Sequence, residues 1–461
     1  YNTRFLIMGT NLITVFDIVY SIVLFFIIYG AAGSIRNKNI EEKPYYKFLT
    51  RGLTFKMIGG ISFCLIYALY YQGGDTVNYF KGAKSMLSVL KNSPIKYLEL
   101  MLSDPEEIAH IRTFFLEVND FPPIYMLKDE RTFTVIKISS LFAMFGLGGF
   151  LSTTILLSAF IYSWVWKLYT FLIERYPNSC KAINIALLYL PSTVFWGSGI
   201  MKDTFAFSAT CFAVFGLHQF FIQRKRIVST VLQLYFSFFL IVTIKSYIMF
   251  ALLPGLLIFA NFERLKRIQS TLVKIIILPF SIGLVFLIAN TLFFDFNELF
   301  GKYSADNLLE EAAIQNADLK RSVYGSNSFD IGTFEPTLQG AGSMFFPAVN
   351  AALFRPYITE TGSPTMILSG IENTLILAIV IWIILFKPIS ILKSIRDDAF
   401  LIFCLLFTLI LGFGVGLSTS NFGALVRYKI PFLPFFIFLI LYNIKWLNNS
   451  EDVTKSLDSK K

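Results

Sequence analysis

Charge is what this chain has least of. Only 15% of its residues are Asp, Glu, Lys or Arg, against 55% hydrophobic and 17% aromatic, with fifty-one Phe. A soluble globular domain carries about 25% charged residues, so that class is excluded. Histidine is nearly absent as well: His110 and His218 are too few and too separated for a metal centre or a catalytic triad. The four cysteines, Cys64, Cys180, Cys211 and Cys404, have no paired spacing. That excludes a disulfide framework and a zinc site, and all four read as packing residues. There is no P-loop, no dinucleotide fingerprint and no GxSxG elbow, which argues against nucleotide-driven chemistry. No alternating strands of a membrane barrel occur.

What is present is a series of apolar runs near the roughly 20 residues a helix needs to cross a bilayer. They predict an all-α integral membrane protein of about 11–12 transmembrane helices. The expected spans lie near residues 6–30, 54–71, 149–172, 182–197, 204–222, 228–243, 247–260, 271–294, 367–386, 399–417 and 428–443, with a further apolar helix over 133–147. The first run is longer than a signal-peptide core and lacks a small-residue cleavage site, so it reads as a retained span.

The formal net charge of +10 comes from basic residues in short connections: Arg36, Lys38, Lys43, Lys47 and Arg51; Arg224, Lys225 and Arg226; Arg264, Lys266 and Arg267; Lys387, Lys393 and Arg396; and Lys455, Lys460 and Lys461. Clusters of this kind report a cytoplasmic side rather than a nucleic-acid partner. Two long polar segments, 72–132 and 295–366, then fall outside as extracytoplasmic loops carrying short helices. Helix-start chemistry is visible at Ser103-Asp104-Pro105-Glu106-Glu107 and a helix-like run at 307–314. With no internal repeat, residues 1–461 read as a single polytopic domain of a bacterial inner membrane.

The chemistry-bearing residues gather at predicted outer span ends. Asp75 follows Gly73-Gly74 where an apolar run gives way to the first outer loop. A carboxylate at the edge of a span is a site candidate, although Asp at a helix start also caps it. Glu117, Asp120, Tyr125, Lys202, Asp203, Lys245, Arg355, Glu360, Arg427 and Tyr428 share that placement. A carboxylate with several cations suits a reaction on an anionic lipid: the acid takes a proton from a hydroxyl while Arg and Lys neutralise a departing phosphate.

The same residues have structural readings. Lys202 and Asp203 suit a headgroup anchor, Lys245 a snorkelling lysine, Arg427 and Tyr428 an interfacial belt, and Arg355 with Glu360 a loop salt bridge. Asp17, inside the first span, reads as a buried contact to another helix. No cofactor is expected; a divalent cation held by Asp75 with Glu117 or Asp120 is the one metal arrangement the acids allow.

Gly74-Asp75 and Phe121-Pro122-Pro123-Ile124-Tyr125, then Arg131 with Ile138-Ser139-Ser140-Leu141-Phe142, Pro191-Ser192-Thr193 through Lys202-Asp203-Thr204, and Arg427-Tyr428-Lys429-Ile430-Pro431-Phe432-Leu433-Pro434, occur in a meaningful order. This order resembles polytopic membrane glycosyltransferases of the C-type fold, especially the protein mannosyltransferase and aminoarabinose transferase group. The resemblance implies transfer of a sugar from a polyprenyl-phosphate carrier to a lipid, glycan or protein acceptor, with Asp75 in the position of the base. Tyr125, Lys202, Asp203, Lys245, Arg355, Glu360, Arg427 and Tyr428 are the substrate-binding candidates by their outer placement, and the Arg355 to Glu360 segment has no counterpart in that family's pattern. The chain departs from that pattern at Phe121, where many relatives carry a basic residue or His, and at Gly74 and Thr76, where others place a second acid. Its first span is extra to the usual plan.

Two alternatives stay open. A polysaccharide polymerase would shift importance to Arg355, and a transporter or flippase would line its path with Asp17, Asp203 and Lys245.

Overall fold

The computed structural model describes residues 12–104, 107–223, 226–267, 308–321, 328–444 and 447. The span expected over 271–294, the start of the one over 6–30, residues 295–307 and 322–327 of the second outer segment, Glu106, Arg224, Lys225 and the Lys455, Lys460 and Lys461 tail lie outside the described residues, as do the side chains of Arg264, Lys266 and Arg267.

Among the described residues every regular element is helical, and the one strand-like feature is an isolated bridge between Ser328 and Asn421. In chain order the helices are α1 (Val15–Asn39), α2 (Lys47–Leu65, prolonged by a π-turn over Ile66–Tyr70), α3 (Asp75–Asn92), α4 (Pro94–Leu102), α5 (Ile108–Val118), α6 (Ile124–Lys128), α7 (Glu130–Phe145), α8 (Phe150–Arg175), α9 (Cys180–Ile183), α10 (Pro191–Phe195), α11 (Lys202–His218), α12 (Ile227–Lys245), α13 (Tyr247–Arg267), α14 (Leu308–Leu319), α15 (Leu338–Ser343), α16 (Phe345–Phe354), α17 (Pro364–Phe386), α18 (Pro388–Asp397), α19 (Ala399–Ser418), α20 (Phe422–Tyr428) and α21 (Leu433–Leu441). Among the described residues seven segments are long and apolar enough to cross a membrane: Val15–Asn39, Pro44–Tyr70, Phe150–Arg175, Lys202–Phe221, Ile227–Lys245, Thr365–Phe386 and Ala399–Ser418. An eighth results if α20 and α21, bent by 69°, count as one crossing. The chain is an all-α, multi-pass membrane protein.

The described spans differ from expectation where the backbone breaks. The crossing expected over 182–197 is a π-turn at Asn184–Tyr189, an extended Leu190 and the short α10, because Pro191 cannot continue a helix and restricts the residue before it. The crossing expected over 428–443 is bent between α20 and α21, where Pro431 interrupts the helical ladder and Pro434 sits in the first turn of the next helix. The apolar run over 133–147 is α7, sixteen residues long and below the length of a crossing.

Where composition suggests one polytopic domain, the helices group into two compact units. The first takes residues up to Lys167 together with Thr193–Ser208; the second takes Leu168–Ser192 and the chain from Ala209.

In the first unit, α2 presents a side-chain-free face. A Cβ at Gly52 would strike the Tyr162 hydroxyl, one at Gly59 the Val194 carbonyl, and one at Gly60 the Ser158 hydroxyl. Backbone therefore approaches backbone, as small residues allow between membrane helices. Asp17 is buried and holds the start of α8: its carboxylate accepts the N–H of Leu151 at 2.9 Å, the N–H of Ser152 at 3.1 Å and the Ser152 hydroxyl at 2.8 Å. It caps the N-terminus of a helix more than a hundred residues away, as the helix-contact reading of Asp17 anticipates.

The first outer segment is an α-helical layer. Gly82 of α3 packs on Ile136 of α7, and Ala83 and Leu87 pack with Ala143, so the two helices run in the same direction.

In the second unit, α16 packs on α19 so closely that a Cβ at Gly416 would fall on the Ala348 carbonyl. Asn316 of α14 donates to the Leu417 carbonyl at 2.9 Å, and the Phe329 N–H donates to the Ser420 carbonyl at 2.8 Å. The described parts of the second outer segment are thus seated on the end of α19.

Candidate functional site

Asp75 is the first residue of α3, one position inside the helix rather than its N-cap, which is Gly74. Gly74 has φ of 100°, and the Tyr67 ring lies where a Cβ would go, so position 74 needs glycine for backbone and packing alike. Tyr67 belongs to the π-turn that ends the second span, a distortion frequent at functional sites. Asp75 is exposed, and Asn78, one turn along the helix, donates to the Tyr125 hydroxyl at 2.9 Å. Tyr125 sits in α6 behind Pro122 and Pro123, so the strap from 121 to 125 is joined to the Asp75 helix.

Seven residues back from the Gly82 and Ile136 contact are Asp75 and Asp129, so this register brings the starts of α3 and α7 level. A third helix start joins them: Lys202, the first residue of α11, donates its Nζ to Asp129 Oδ2 at 2.7 Å. Burial pushes the Asp129 carboxyl up, but the Lys202 charge and hydrogen bond, the Thr132 hydroxyl and Arg131 together hold it below its ordinary value. Neighbouring Glu130 moves the other way, through burial and then the nearby Asp104 charge. One end of this unit thus carries Asp75, Tyr125, the Lys202 and Asp129 pair, and three helix N-termini whose dipoles attract anions.

Asp203 is buried beside Lys202 in the first turn of α11. Four residues on, the Phe207 ring carries the ammonium of Lys56 at 5.1 Å, and Lys56 donates to the Thr193 carbonyl at 3.1 Å. Lys56 is buried in mid-span. The sequence reading began this span at residue 54, which leaves Lys56 at its edge; only the earlier start at Pro44 places it in mid-span.

Glu117 and Asp120 are engaged by other side chains. Both Asp120 oxygens accept serine hydroxyls of α3, Ser85 at 2.8 Å and Ser88 at 2.7 Å, while Glu117 pairs with Lys96 of α4 at 2.7 Å. Among the described residues no group of three His, Cys, Asp or Glu side chains is placed to hold a metal ion.

The remaining candidates, Lys245, Arg355, Glu360, Arg427 and Tyr428, belong to the second unit. Lys245 ends α12, is buried, and stands over the Tyr428 ring at 4.0 Å. Arg427 is half-buried, its Nε donating to the Gly423 carbonyl at 3.0 Å. Lys245, Tyr428 and Arg427 therefore form one cationic corner at the end of α20. Arg355 and Glu360 form a separate centre. The guanidinium makes a forked ion pair with the Glu360 carboxylate and lies over Phe329 at 4.6 Å and Phe422 at 5.6 Å.

A buried network that sequence reading did not assemble lies alongside. Lys429, in the bend after α20, is fully buried and donates to Asn373 Oδ1 at 2.5 Å. Asn373 donates in turn to the carbonyls of Arg355 at 3.0 Å and Pro356 at 3.2 Å. The adjacent Glu372 accepts the Ser192 N–H at 2.8 Å through Oε2.

No family model, no curated protein and no solved structure matches this chain.

Proposed function

We propose that this chain is a membrane glycosyltransferase acting on the extracytoplasmic face of a bacterial inner membrane, with a polyprenyl-phosphate-linked sugar as donor and a lipid, glycan or protein hydroxyl as acceptor. The observation that carries the reading is Asp75: an exposed carboxylate at a span edge, fixed by Gly74 and Tyr67, level with the Lys202 and Asp129 pair and joined to Tyr125 through Asn78.

In this reaction the acceptor oxygen attacks the anomeric carbon as its proton passes to Asp75. The bond from that carbon to the phosphate oxygen breaks, and the electron pair leaves with the polyprenyl phosphate. Single displacement inverts the anomeric centre. Lys202 supplies a cation for the departing phosphate in the Asp75 unit; in the other unit the corner of Lys245, Tyr428 and Arg427 is a candidate anion site in its own right, since Arg presents a fork matched to phosphate oxygens. Arg355 and Glu360 order the segment assigned to the acceptor.

The transport alternative draws on one observation, the mid-span Lys56, but its ammonium is engaged by the Thr193 carbonyl and the Phe207 ring. Asp17, Asp203 and Lys245, which a transport path would need, stand near span ends.

The decisive experiment is turnover of purified Asp75→Asn with a panel of polyprenyl-phosphate sugars. Loss of transfer in a folded variant supports the reading, and near-normal turnover removes Asp75 from the role. Product length separates a single addition from the ladder a polymerase would yield.

A further inference from the structure

The helix α4 has three distinct faces. Tyr97 and Leu100 point inward, Tyr97 through a 2.8 Å hydrogen bond between its hydroxyl and that of Ser140 on α7. Lys96 and Glu99 turn to α5, where Lys96 pairs with Glu117 and Glu99 with His110 at 3.0 Å. The third face consists of Ile95, Leu98 and Leu102, spaced as one helical stripe and left 77%, 61% and 88% exposed. Those values are comparable with those of exposed apolar residues of the first span, where Val15 is 78% and Phe16 61% exposed.

We propose that α4 is seated in the bilayer leaflet at the Asp75 end of the spans, with Ile95, Leu98 and Leu102 among the lipid chains. The inference does not depend on Asp75 being a catalytic base. Three observations choose lipid over other occupants. The polar side chains Lys96 and Glu99 are already engaged with α5, so the bare face offers water nothing to bond. Apolar surface is also exposed at Leu141 and Phe145 of α7 and at Leu147 in the turn that follows, and the Phe145 carbonyl accepts the Tyr20 hydroxyl of α1 at 3.0 Å. The exposed end of α7 is thereby tied to a span. Three side chains also expose far less than the roughly 1,000 Å² that a specific protein partner buries. Residues that composition assigns to an aqueous loop are instead an in-plane helix, of the kind whose apolar face sinks about 5–10 Å below the headgroups.

The test places a probe on the stripe. The four native cysteines are buried, so Leu98→Cys in the full chain can be labelled selectively with bimane, with the wild-type protein carried through as background. Lys84→Cys, on the exposed polar face of α3, is the control. Both are placed in phosphatidylcholine nanodiscs with or without phosphatidylcholine carrying a doxyl group at carbon 5 or carbon 12. The Leu98 label is expected to lose about half its emission to the carbon-5 doxyl lipid and less to the carbon-12 lipid, as its depth dictates. The Lys84 label should be nearly unaffected. Equal quenching of the two labels overturns the proposal. So does a Leu98 label that ignores doxyl lipid but transfers energy to a second labelled copy, since a protein then covers the face.

Discussion

Asp17→Ala tests the idea that one carboxylate at the start of the first span holds the start of another. The substitution leaves two backbone N–H groups and the Ser152 hydroxyl without their acceptor in a site only 1% exposed. A buried donor left unmet costs about 1–3 kcal/mol, and a lost N-cap about 1–2 kcal/mol. Allowing for overlap, the variant should lose about 3–5 kcal/mol, and Asp17→Asn about half that, because an amide oxygen still accepts one bond. Gly149→Ala is a second route to the same failure, since its new Cβ would fall on Asp17 Oδ1 and displace the intact carboxylate. The assay is unfolding in mixed micelles titrated with SDS and followed by tryptophan fluorescence. The two single variants should lower the midpoint, and the double variant should lose less than their sum, because both disrupt one cap. A wild-type midpoint for Asp17→Ala, or strict additivity, would refute the reasoning. A stable Asp17→Asn without activity would point to a transport path instead.

Other outcomes follow from the same geometry. Because Asp129 titrates below its ordinary value, its contribution to stability is present above about pH 4 and fades as pH falls through the lowered value; Lys202→Met leaves only Thr132 and Arg131 to oppose burial, so acid sensitivity should move to higher pH, and an unchanged profile rejects the pairing. Lys429→Met should cost about 1–3 kcal/mol by leaving the buried Asn373 Oδ1 without its donor, and a wild-type unfolding midpoint would deny that role. Arg355→Gln should speed amide exchange across 355–361 by releasing the Glu360 fork and two ring contacts, which hydrogen-exchange mass spectrometry reads directly. Gly74→Ala should reduce activity at nearly normal expression, by turning Asp75 away from a Tyr67 ring that cannot yield freely.

The helical membrane class was legible because hydropathy over about 20 residues is decided locally. Among the described residues five of the seven crossing segments fall close to their expected ranges; the first, Val15–Asn39, begins later than the expected 6–30, and the second, Pro44–Tyr70, begins ten residues before the expected 54–71. The breaks at Pro191 and Pro431 were less legible: proline marks where a helix ends but not whether the apolar chain resumes its direction. The first outer segment was read as polar because its charges are spread along the sequence. In space Lys96, Glu117, Glu99 and His110 pair with one another and leave a bare apolar face that no linear window isolates. The helix-like run at 307–314 became α14, and Asp17 became a contact to another helix. Asp75, Tyr125 and Lys202 do share a unit, and the level placement of Asp75 with Asp129 needed the parallel register of α3 and α7, a tertiary fact. Lys429, Asn373 and Glu372 went unassembled because their partnership depends on a bend.

The glycine face of α2 also limits how this chain can change. At positions 52, 59 and 60 the opposing atoms are a phenol oxygen, a peptide carbonyl and a serine oxygen, and the carbonyl cannot rotate aside as a side chain can. A saturation library should therefore be depleted of every replacement at 59, and depleted less at 52, where the obstacle is a side chain, although Tyr162 would have to give up its hydrogen bond to the Leu49 carbonyl. Homologous chains that keep this helix pair should drift freely on its lipid side and hardly at all along that seam.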